Sequence, residues 1–264
     1  MQNPLHPAGS TTAEVTPPMP IRAFARRLRN DTVRAIKQRV LRHAVASLGH
    51  ALRTGRQPSP RVFEQLAYGW GNEAWSASSS FLQAVIEWLP RTTGSVVECG
   101  PGISTFVLAS AAAVSARRVH AFEHNRDWAE RIVRELPSGL RASVEMHLTP
   151  IRSCGDFDWY SLDALTLPSD VGFVVCDGPP GKTRGGRYGL APMLRAYLKP
   201  GCIVLLDDTQ RLEERQIVRR WCDELPASVI EAGENYNVLS IGENRPPLAT
   251  GDRQSLADGA AFRR

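Results

Sequence analysis

The stretch Ser95-Val-Val-Glu98-Cys-Gly100-Pro-Gly102-Ile-Ser-Thr-Phe decides the fold of this chain. Its first five residues predict a short buried strand, the two glycines predict a tight turn, and the residues that follow carry apolar side chains at helical spacing. Glycine lets a backbone approach a ligand where a Cβ would collide, and a helix N-terminus presents unpaired N–H groups. The stretch therefore predicts a strand, a turn and a helix, with a ligand bound above the turn.

The spacing of the glycines limits the choice of ligand. A dinucleotide-binding turn needs a third glycine where Thr105 stands, so an NAD-dependent oxidoreductase is disfavoured. A purely structural turn, with glycines kept for packing alone, is the other interpretation of the stretch. The rest of the chain decides between a ligand site and a packing motif.

From Ser95 onward, predicted strands alternate with predicted helices, which is typical of a parallel sheet covered by helices on both faces. The predicted strands are Ser95–Cys99, Arg118–Phe122, Ser143–Leu148, Gly172–Cys176 and Cys202–Leu206, followed by an antiparallel pair at Ser228–Glu231 and Asn237–Ile241. Each of the first five except the third ends in a carboxylate: Glu98, Glu123, Asp177 and Asp207. Ligands bind at the carboxyl ends of such strands, so this row predicts a ligand cleft.

Four motifs together resemble the class I S-adenosylmethionine-dependent methyltransferases. They are Glu98-Cys-Gly100-Pro-Gly102, Val119-His-Ala-Phe-Glu123-His, Val174-Val-Cys-Asp177-Gly-Pro-Pro and Leu198-Lys-Pro-Gly-Cys-Ile-Val-Leu-Leu-Asp207-Asp208. The resemblance extends from about Ser79 to Ile241. It implies a three-layer, Rossmann-like α/β fold with a mostly parallel seven-stranded sheet whose last strand is antiparallel, preceded by N-terminal helices.

The resemblance also implies S-adenosylmethionine as the cofactor, lying across the carboxyl ends of the first strands. Gly100 and Gly102 would admit its methionine part, and Glu98 would lie near its ammonium group. Glu123 would accept hydrogen bonds from the ribose hydroxyls, with His124 beside the ribose or the adenine.

The acceptor side of the predicted cleft contains three aspartates. The resemblance implies that Asp177 contacts the cofactor and acts as the catalytic residue beside the acceptor. Together with Asp207 and Asp208 it would hold a divalent cation such as Mg²⁺, as in metal-dependent small-molecule O-methyltransferases, and the ion would lower the pKa of an acceptor hydroxyl. In the structural alternatives, Asp208 caps the helix before Arg211 and Asp177 only orients the Gly-Pro-Pro turn.

A basic loop, Gly181-Lys182-Thr-Arg184-Gly-Gly-Arg187, follows that turn. It is not a phosphate-binding loop, because Cys176 stands where that motif requires glycine. One interpretation is a mobile lid whose cations attract an anionic acceptor, and the other is a solvated loop. Upstream, Trp70 and Trp75 flank small residues in a segment that either closes over the cofactor or plugs the sheet edge.

The net charge of +5 is concentrated in residues 21–56, which hold ten Lys and Arg against one Asp. An apolar stripe in this segment predicts a helix that packs on the catalytic domain, or one that adheres to an anionic membrane surface or an acidic partner. The rest of the chain is nearly neutral to slightly acidic, so no nucleic-acid partner is expected.

The composition predicts four segments. Residues 1–20 and 243–264 are predicted to be disordered, residues 21–78 form a basic helical extension and cap, and residues 79–242 form the methyltransferase domain. There is no apolar run of about 18 residues and no secretory core, so a cytoplasmic protein is expected. The five cysteines lack a Cys-x-x-Cys spacing and are expected to be reduced thiols.

These observations predict an enzyme that transfers a methyl group from S-adenosylmethionine to a hydroxyl of a small molecule or saccharide, including an anionic one. N-methylation, or an aminopropyl-type transfer on the same fold, is the enzymatic alternative. A non-catalytic S-adenosylmethionine-binding module is the alternative of another class. The Asp207-Asp208 pair favours oxygen as the acceptor atom.

Overall fold

The computed structural model of the chain describes residues 21–72, 77–163 and 165–242, and the side chains of these ranges from residue 26 onward. The predicted disordered segments 1–20 and 243–264, and Trp75, lie outside the described residues. The chain divides into two compact units, and the division falls between Ile36 and Lys37. Among the described helices, none combines the length and the apolar character that a bilayer crossing needs.

Within the described residues, nine strands form two sheets. In chain order they are β1 (Ser95–Cys99), β2 (Val119–Glu123), β3 (Val144–Leu148), β4 (Ile151–Ser153), β5 (Asp158–Tyr160), β6 (Val171–Cys176), β7 (Leu198–Asp207), β8 (Ala227–Ala232) and β9 (Tyr236–Ile241). Seven of them form one sheet in the order β3-β2-β1-β6-β7-β9-β8, and β4 pairs with β5 in a separate antiparallel hairpin. In the large sheet, β9 runs antiparallel to both of its neighbours, β7 and β8, and so opposite in direction to the other six strands. The predicted mostly parallel sheet with an antiparallel last strand is confirmed.

The described residues contain eight α-helices, and capping residues bound several of them. They are α1 (Ile21–Arg53), α2 (Pro60–Trp70), α3 (Ser79–Trp88), α4 (Ile103–Val114), α5 (Arg126–Glu135), α6 (Ser138–Arg141), α7 (Leu190–Leu194) and α8 (Leu212–Glu224). Pro60 starts α2 at a position where its missing N–H costs nothing, and Gly71 ends that helix with a left-handed φ of 68°. The side chains of Ser78 and Asn125 cap α3 and α5.

The sheet is the middle layer of three. Because side chains alternate along a strand, Val96 and Phe173 pack in the cluster that includes α2, α3 and α4, while Val97 and Val174 pack in the cluster that includes α7 and α8. The carboxyl ends of the parallel strands are thereby held rigidly between two buried layers.

The apolar stripe of α1 has different surroundings in its two halves. In the second unit, Leu41, Ala44 and Leu48 are buried in the core. In the first unit, Leu28 and Ile36 are 59% and 50% exposed. The prediction that this helix packs on the domain is thus met by its C-terminal half.

Candidate functional site

A cleft of about 410 Å³ opens at the carboxyl ends of the parallel strands. It lies entirely in the second unit. Of the eight residues predicted for the site, the six that line this cleft are Gly100, Glu123, His124, Asp177, Asp207 and Asp208. Three of the four strand-end carboxylates, Glu123, Asp177 and Asp207, therefore gather on one rim, whereas Glu98 and Gly102 are not among the lining residues.

Glu98 points away from the cleft, into the first turn of α4. Its two carboxylate oxygens accept hydrogen bonds from Ser104 Oγ at 2.7 Å and from Thr105 Oγ1 at 2.8 Å. Burial of this fully inaccessible carboxyl group raises its pKa to about 7, against the two hydrogen bonds, which lower it. In this structure Glu98 links β1 to the first turn of α4 and so stabilises the glycine turn between them. The contact of Glu98 with a cofactor ammonium group stays a prediction.

The two glycines of the turn differ in what they require. Gly100 has a φ of +80°, and a Cβ added there would lie 2.6 Å from the backbone nitrogen of Gly178. Gly102 has an extended φ of −164°, and a Cβ added there would meet no atom within 4 Å. Gly100 is therefore needed for the fold itself, whereas Gly102 leaves open space where a ligand would approach.

Glu123 ends β2 with one carboxylate oxygen fully occupied. Its Oε1 accepts the backbone N–H groups of His124 at 2.8 Å and Asn125 at 2.7 Å, and it lies 2.9 Å from His124 Nδ1. Burial raises the pKa of Glu123, and the Asn125 and His124 contacts oppose the rise. Within the described residues Oε2 has no hydrogen-bond partner, so it is the oxygen that a ligand hydroxyl would reach.

The acceptor-side aspartates converge, but the group between them is the Arg187 guanidinium. Arg187 Nη2 lies 2.8 Å from Asp177 Oδ1 and 2.7 Å from Asp208 Oδ2. Arg187 Nη1 donates to the backbone carbonyl of Asp207 at 2.6 Å. Asp208 has a left-handed φ of 62°, which costs backbone energy and turns its carboxylate toward this cation. Neither structural alternative fits, because α8 is preceded by Arg211 without a side-chain cap and the Asp177 carboxylate binds Arg187.

Burial raises the pKa values of Asp177 and Asp207 at this end of the cleft. For Asp177, Arg187 opposes the rise, while Asp207 and Asp208 add to it. The pKa of Asp207 is raised to about 6. Asp177 keeps Oδ2 without a partner among the described residues, so it combines a free oxygen with an increased affinity for a proton.

The predicted Mg²⁺ ligands do not fit a divalent ion. Mg²⁺ needs octahedral oxygen ligands at about 2.0–2.1 Å. Two of the three aspartates each use one oxygen on Arg187. Within the described parts of the chain, Asp177, Asp207 and Asp208 do not bring three carboxylate oxygens, one from each, to within 4.8 Å of one another.

A second cluster of metal-ligating types lies on β2 and β3, and its members do not line the cleft. His120, Glu145 and His147 bring one ligand atom each to within 4.8 Å of one another. The two imidazole rings lie 10° from coplanar, with centroids 5.5 Å apart and His120 Nδ1 3.2 Å from His147 Nε2. The centroid separation exceeds the nitrogen separation by the two ring radii, so the rings meet end to end in an N–H···N hydrogen bond. A metal ion shared by the two rings would need the lone pairs of His120 Nδ1 and His147 Nε2 to point at the ion rather than at each other.

The sequence did not identify Tyr160 as a site residue. It ends the hairpin strand β5, is fully buried and lines the cleft. Its hydroxyl lies beside Gly178 and has no hydrogen-bond partner within the described residues. A buried hydroxyl without a partner is costly, so this group fits a ligand that is not present. The sequence signal was the aromatic Asp-Trp-Tyr run after Gly155, which is typical of a short strand.

The basic loop divides into cations with different contacts. Arg184 lies 2.7 Å from Asp158 Oδ1 and 2.8 Å from Ser153 Oγ, so it ties the loop to the β4–β5 hairpin. Lys182 lines the cleft and has no ion-pair partner among the described residues. Trp70, by contrast, does not line the cleft, and it packs on Phe106 with ring centroids 5.3 Å apart.

Comparison with known proteins agrees with this geometry. Residues 97–209 match the family model described as a methyltransferase domain. No curated protein matches the chain. Among solved structures, the chain is similar to an O-methyltransferase from Bacillus cereus in complex with SAH, with 15% identity, a TM-score of 0.48, and coverage of 69% of this chain and 90% of that one.

Two further solved structures show the same range of likeness. A putative O-methyltransferase from Klebsiella pneumoniae is 15% identical, with a TM-score of 0.48, and 74% of this chain and 96% of that one are covered. An RNA methyltransferase from Salinibacter ruber, in complex with S-adenosyl-L-homocysteine, is 16% identical, with a TM-score of 0.42, and 65% of this chain and 96% of that one are covered.

The family assignment rests on the stretch that the family model matches. This stretch contains the glycine turn and the strand-end residues Glu123, Asp177 and Asp207, which the structure gathers on one cleft. The sheet around them is the mostly parallel seven-stranded sheet that the motifs imply. Residues 97–209 of the chain therefore match a methyltransferase domain.

Proposed function

We propose that this methyltransferase modifies a hydroxyl of a small molecule or saccharide, with Glu123 and the glycine turn holding the cofactor and Asp177 taking the acceptor proton. The observation that carries the proposal is that Glu123 and Asp177, from different strands, line the same cleft. The volume of about 410 Å³ lies in the range of about 300–1,000 Å³ that small-molecule sites occupy.

The chain offers a cradle that fits S-adenosylmethionine. Gly102 leaves room for the amino-acid part, and Glu123 Oε2 is free for a ribose hydroxyl. When bound, the cofactor would supply a methyl group made reactive by its sulfonium centre, with the neutral sulfide as the leaving group. The protein must therefore align the acceptor and remove one proton from it.

Asp177 is the residue proposed for the proton. Its Oδ1 is fixed by Arg187 at 2.8 Å, which leaves Oδ2 to accept the proton of an acceptor O–H group. The raised pKa of Asp177 makes this carboxylate a stronger base than an exposed aspartate. This is the support for oxygen over nitrogen, and N-methylation remains the second candidate reaction.

Calorimetry with S-adenosylhomocysteine, followed by transfer of a labelled methyl group to extract components, tests the proposal. We expect the wild-type chain to bind the cofactor product and Glu123→Ala to lose that binding, while exposed Glu64→Ala keeps it. A labelled hydroxyl product supports the proposal. A labelled amine indicates the N-methyl alternative, and binding without any turnover indicates a non-catalytic module.

Two further parts of the proposal concern surroundings. We propose contact of the basic part of α1 with an anionic membrane, supported by exposed Leu28 and Ile36 among its arginines. We also propose a cytoplasmic location, supported by five cysteines that are all free thiols.

A further inference from the structure

The acceptor end of the cleft contains a buried cation that belongs to the chain itself. Arg187 is 2% exposed, and its Nη2 contacts the carboxylates of Asp177 and Asp208 as well as the Asp177 carbonyl at 2.8 Å. Its Nη1 contacts the Asp207 carbonyl and lies 3.7 Å from Glu214 Oε1. One guanidinium thus bridges the ends of β6 and β7 and the start of α8.

The conformation and contacts of the loop around Arg187 hold its side chain at the strand ends. Gly185 and Gly186 precede it with left-handed φ values of 80° and 55°, which glycine adopts without strain. On the other side, Trp221 Nε1 donates to the carbonyl of Tyr188 at 3.0 Å. Arg184 anchors the start of the loop to the β4–β5 hairpin. The guanidinium is therefore held at both ends of its loop rather than resting on the surface.

The charge of this group is permanent. Burial lowers the pKa of Arg187, but the carboxylates of Asp177 and Glu214 outweigh it, so the pKa is raised. A divalent ion placed among the same carboxylates would lie within a few ångström of a fixed positive charge in a site that excludes most water. The same oxygens cannot serve both cations.

We propose that Arg187 takes the place of a metal ion at the acceptor end of the cleft, so that methyl transfer needs no divalent cation, and that Arg187 positions Asp177 for its proton-accepting role. The positioning part rests on the proposed function, whereas the metal part does not. Arg187 acts through Asp177 and is a positioning residue. By fixing Oδ1 it leaves Oδ2 as the oxygen presented to the acceptor.

The metal part is tested with Mn²⁺ alone as the probe, by electron paramagnetic resonance of free Mn²⁺ in the presence of the full chain. We expect no stoichiometric uptake by the wild type at millimolar Mn²⁺. Uptake of one ion per chain that Asp208→Asn abolishes would overturn the proposal. Arg187→Met should bind Mn²⁺ roughly tenfold more tightly than the wild type, since an opposing charge is removed. If Arg187→Met fails to fold, the wild-type and Asp208→Asn titrations still decide.

The positioning part is tested by the pH dependence of kcat/KM in the presence of a chelator. We expect full wild-type activity with the chelator, and an acid limb that Arg187→Met moves upward by about 1 pH unit or more, because Asp177 loses its opposite charge. Arg187→Lys should restore part of that shift. Activity that the chelator abolishes and Mg²⁺ restores, or an acid limb that Arg187→Met leaves in place, refutes the inference. Absence of any cofactor binding refutes the proposed function instead.

Discussion

The hydroxyl of Tyr160 is the residue-scale feature that most directly separates ligand binding from structure. We expect Tyr160→Phe to weaken S-adenosylhomocysteine binding about threefold to tenfold, because a neutral hydrogen bond contributes about 0.5–1.5 kcal/mol. The free protein should keep or raise its Tm, since the variant removes a buried hydroxyl without a partner. Calorimetry and thermal unfolding measure the two effects.

Tyr236→Phe is the matched control for that variant. Its hydroxyl donates to Glu231 Oε1 at 2.7 Å, and the residue does not line the cleft. We expect Tyr236→Phe to lower Tm and to leave the affinity for the cofactor product unchanged. Equal affinities of Tyr160→Phe and the wild type would assign Tyr160 to packing only.

Lys182 tests the class of the acceptor. It lines the cleft and has no ion-pair partner among the described residues. We expect Lys182→Met to raise KM for an anionic acceptor severalfold while cofactor affinity stays unchanged. Exposed Arg219 on α8, away from the cleft, provides the control Arg219→Met. A KM that is the same in both variants would indicate an uncharged acceptor.

Glu98 should make stability depend on pH. Its folded-state pKa of about 7 lies above the ordinary value of 4.5, so the folded state holds a proton that the unfolded state releases. The stability that this proton contributes is present below about pH 4.5 and is lost as the pH rises to about 7. We expect Glu98→Gln, which keeps a neutral hydrogen-bonding group, to gain Tm relative to the wild type between pH 5 and pH 8. A constant difference across that range contradicts the prediction.

Residue positions at strand ends could be predicted from the sequence, but side-chain partners could not. Glu123 and Asp177 reach the cleft because each lies at the carboxyl end of a parallel strand. The local sequence pattern of the strand is enough to predict that position. Arg187 looked like one of three loop cations, and its burial depends on a turn of two glycines and on carboxylates far away in sequence. Glu98 shares the strand-end pattern but points into α4, because the hydroxyls of Ser104 and Thr105 donate hydrogen bonds to its carboxylate there.

At the scale of elements, the two glycines of the turn between β1 and α4 have different roles, one in folding and one in ligand binding. We expect Gly100→Ala to lower the free energy of unfolding by about 1–3 kcal/mol for the left-handed backbone alone, with a further loss from the contact with Gly178. Gly102→Ala should keep the wild-type Tm, because its backbone is extended and its Cβ has room. It should nevertheless weaken cofactor binding, since that room is the proposed approach for the ligand. Unchanged affinity in Gly102→Ala would reject this use of the turn.

Element prediction succeeded where the pattern was long and failed where it was short. β1 has the predicted bounds, because a run of apolar or small residues interrupted only by Glu98 stops at a glycine turn. The hairpin strands β4 and β5 have three residues each, too few for a period to be visible. β7 starts at Leu198, before Pro200 and Gly201, because a register shift accommodates those residues within the strand.

At the scale of the whole molecule, the arginine-rich N-terminal part of α1 and the cleft lie in separate units. The described part of the first unit, residues 21–36, holds five arginines and one aspartate, whereas the cleft is built from residues of the second unit. Each arginine near an anionic bilayer contributes about 1 kcal/mol to the free energy of membrane binding. The exposed side chains of Leu28 and Ile36 add apolar area that can insert into the bilayer.

We therefore expect the full chain to co-sediment with vesicles that contain phosphatidylserine and to remain in solution with phosphatidylcholine alone. Higher salt should weaken the binding, because the attraction is screened. Replacing Arg26, Arg27 and Arg29 with glutamine should remove most of it, while Tm and affinity for S-adenosylhomocysteine stay at wild-type values, since the cleft is built without this unit. Vesicle binding that survives the triple replacement would reject the basic helix as the contact, and a change in cofactor affinity would show that the two units are coupled.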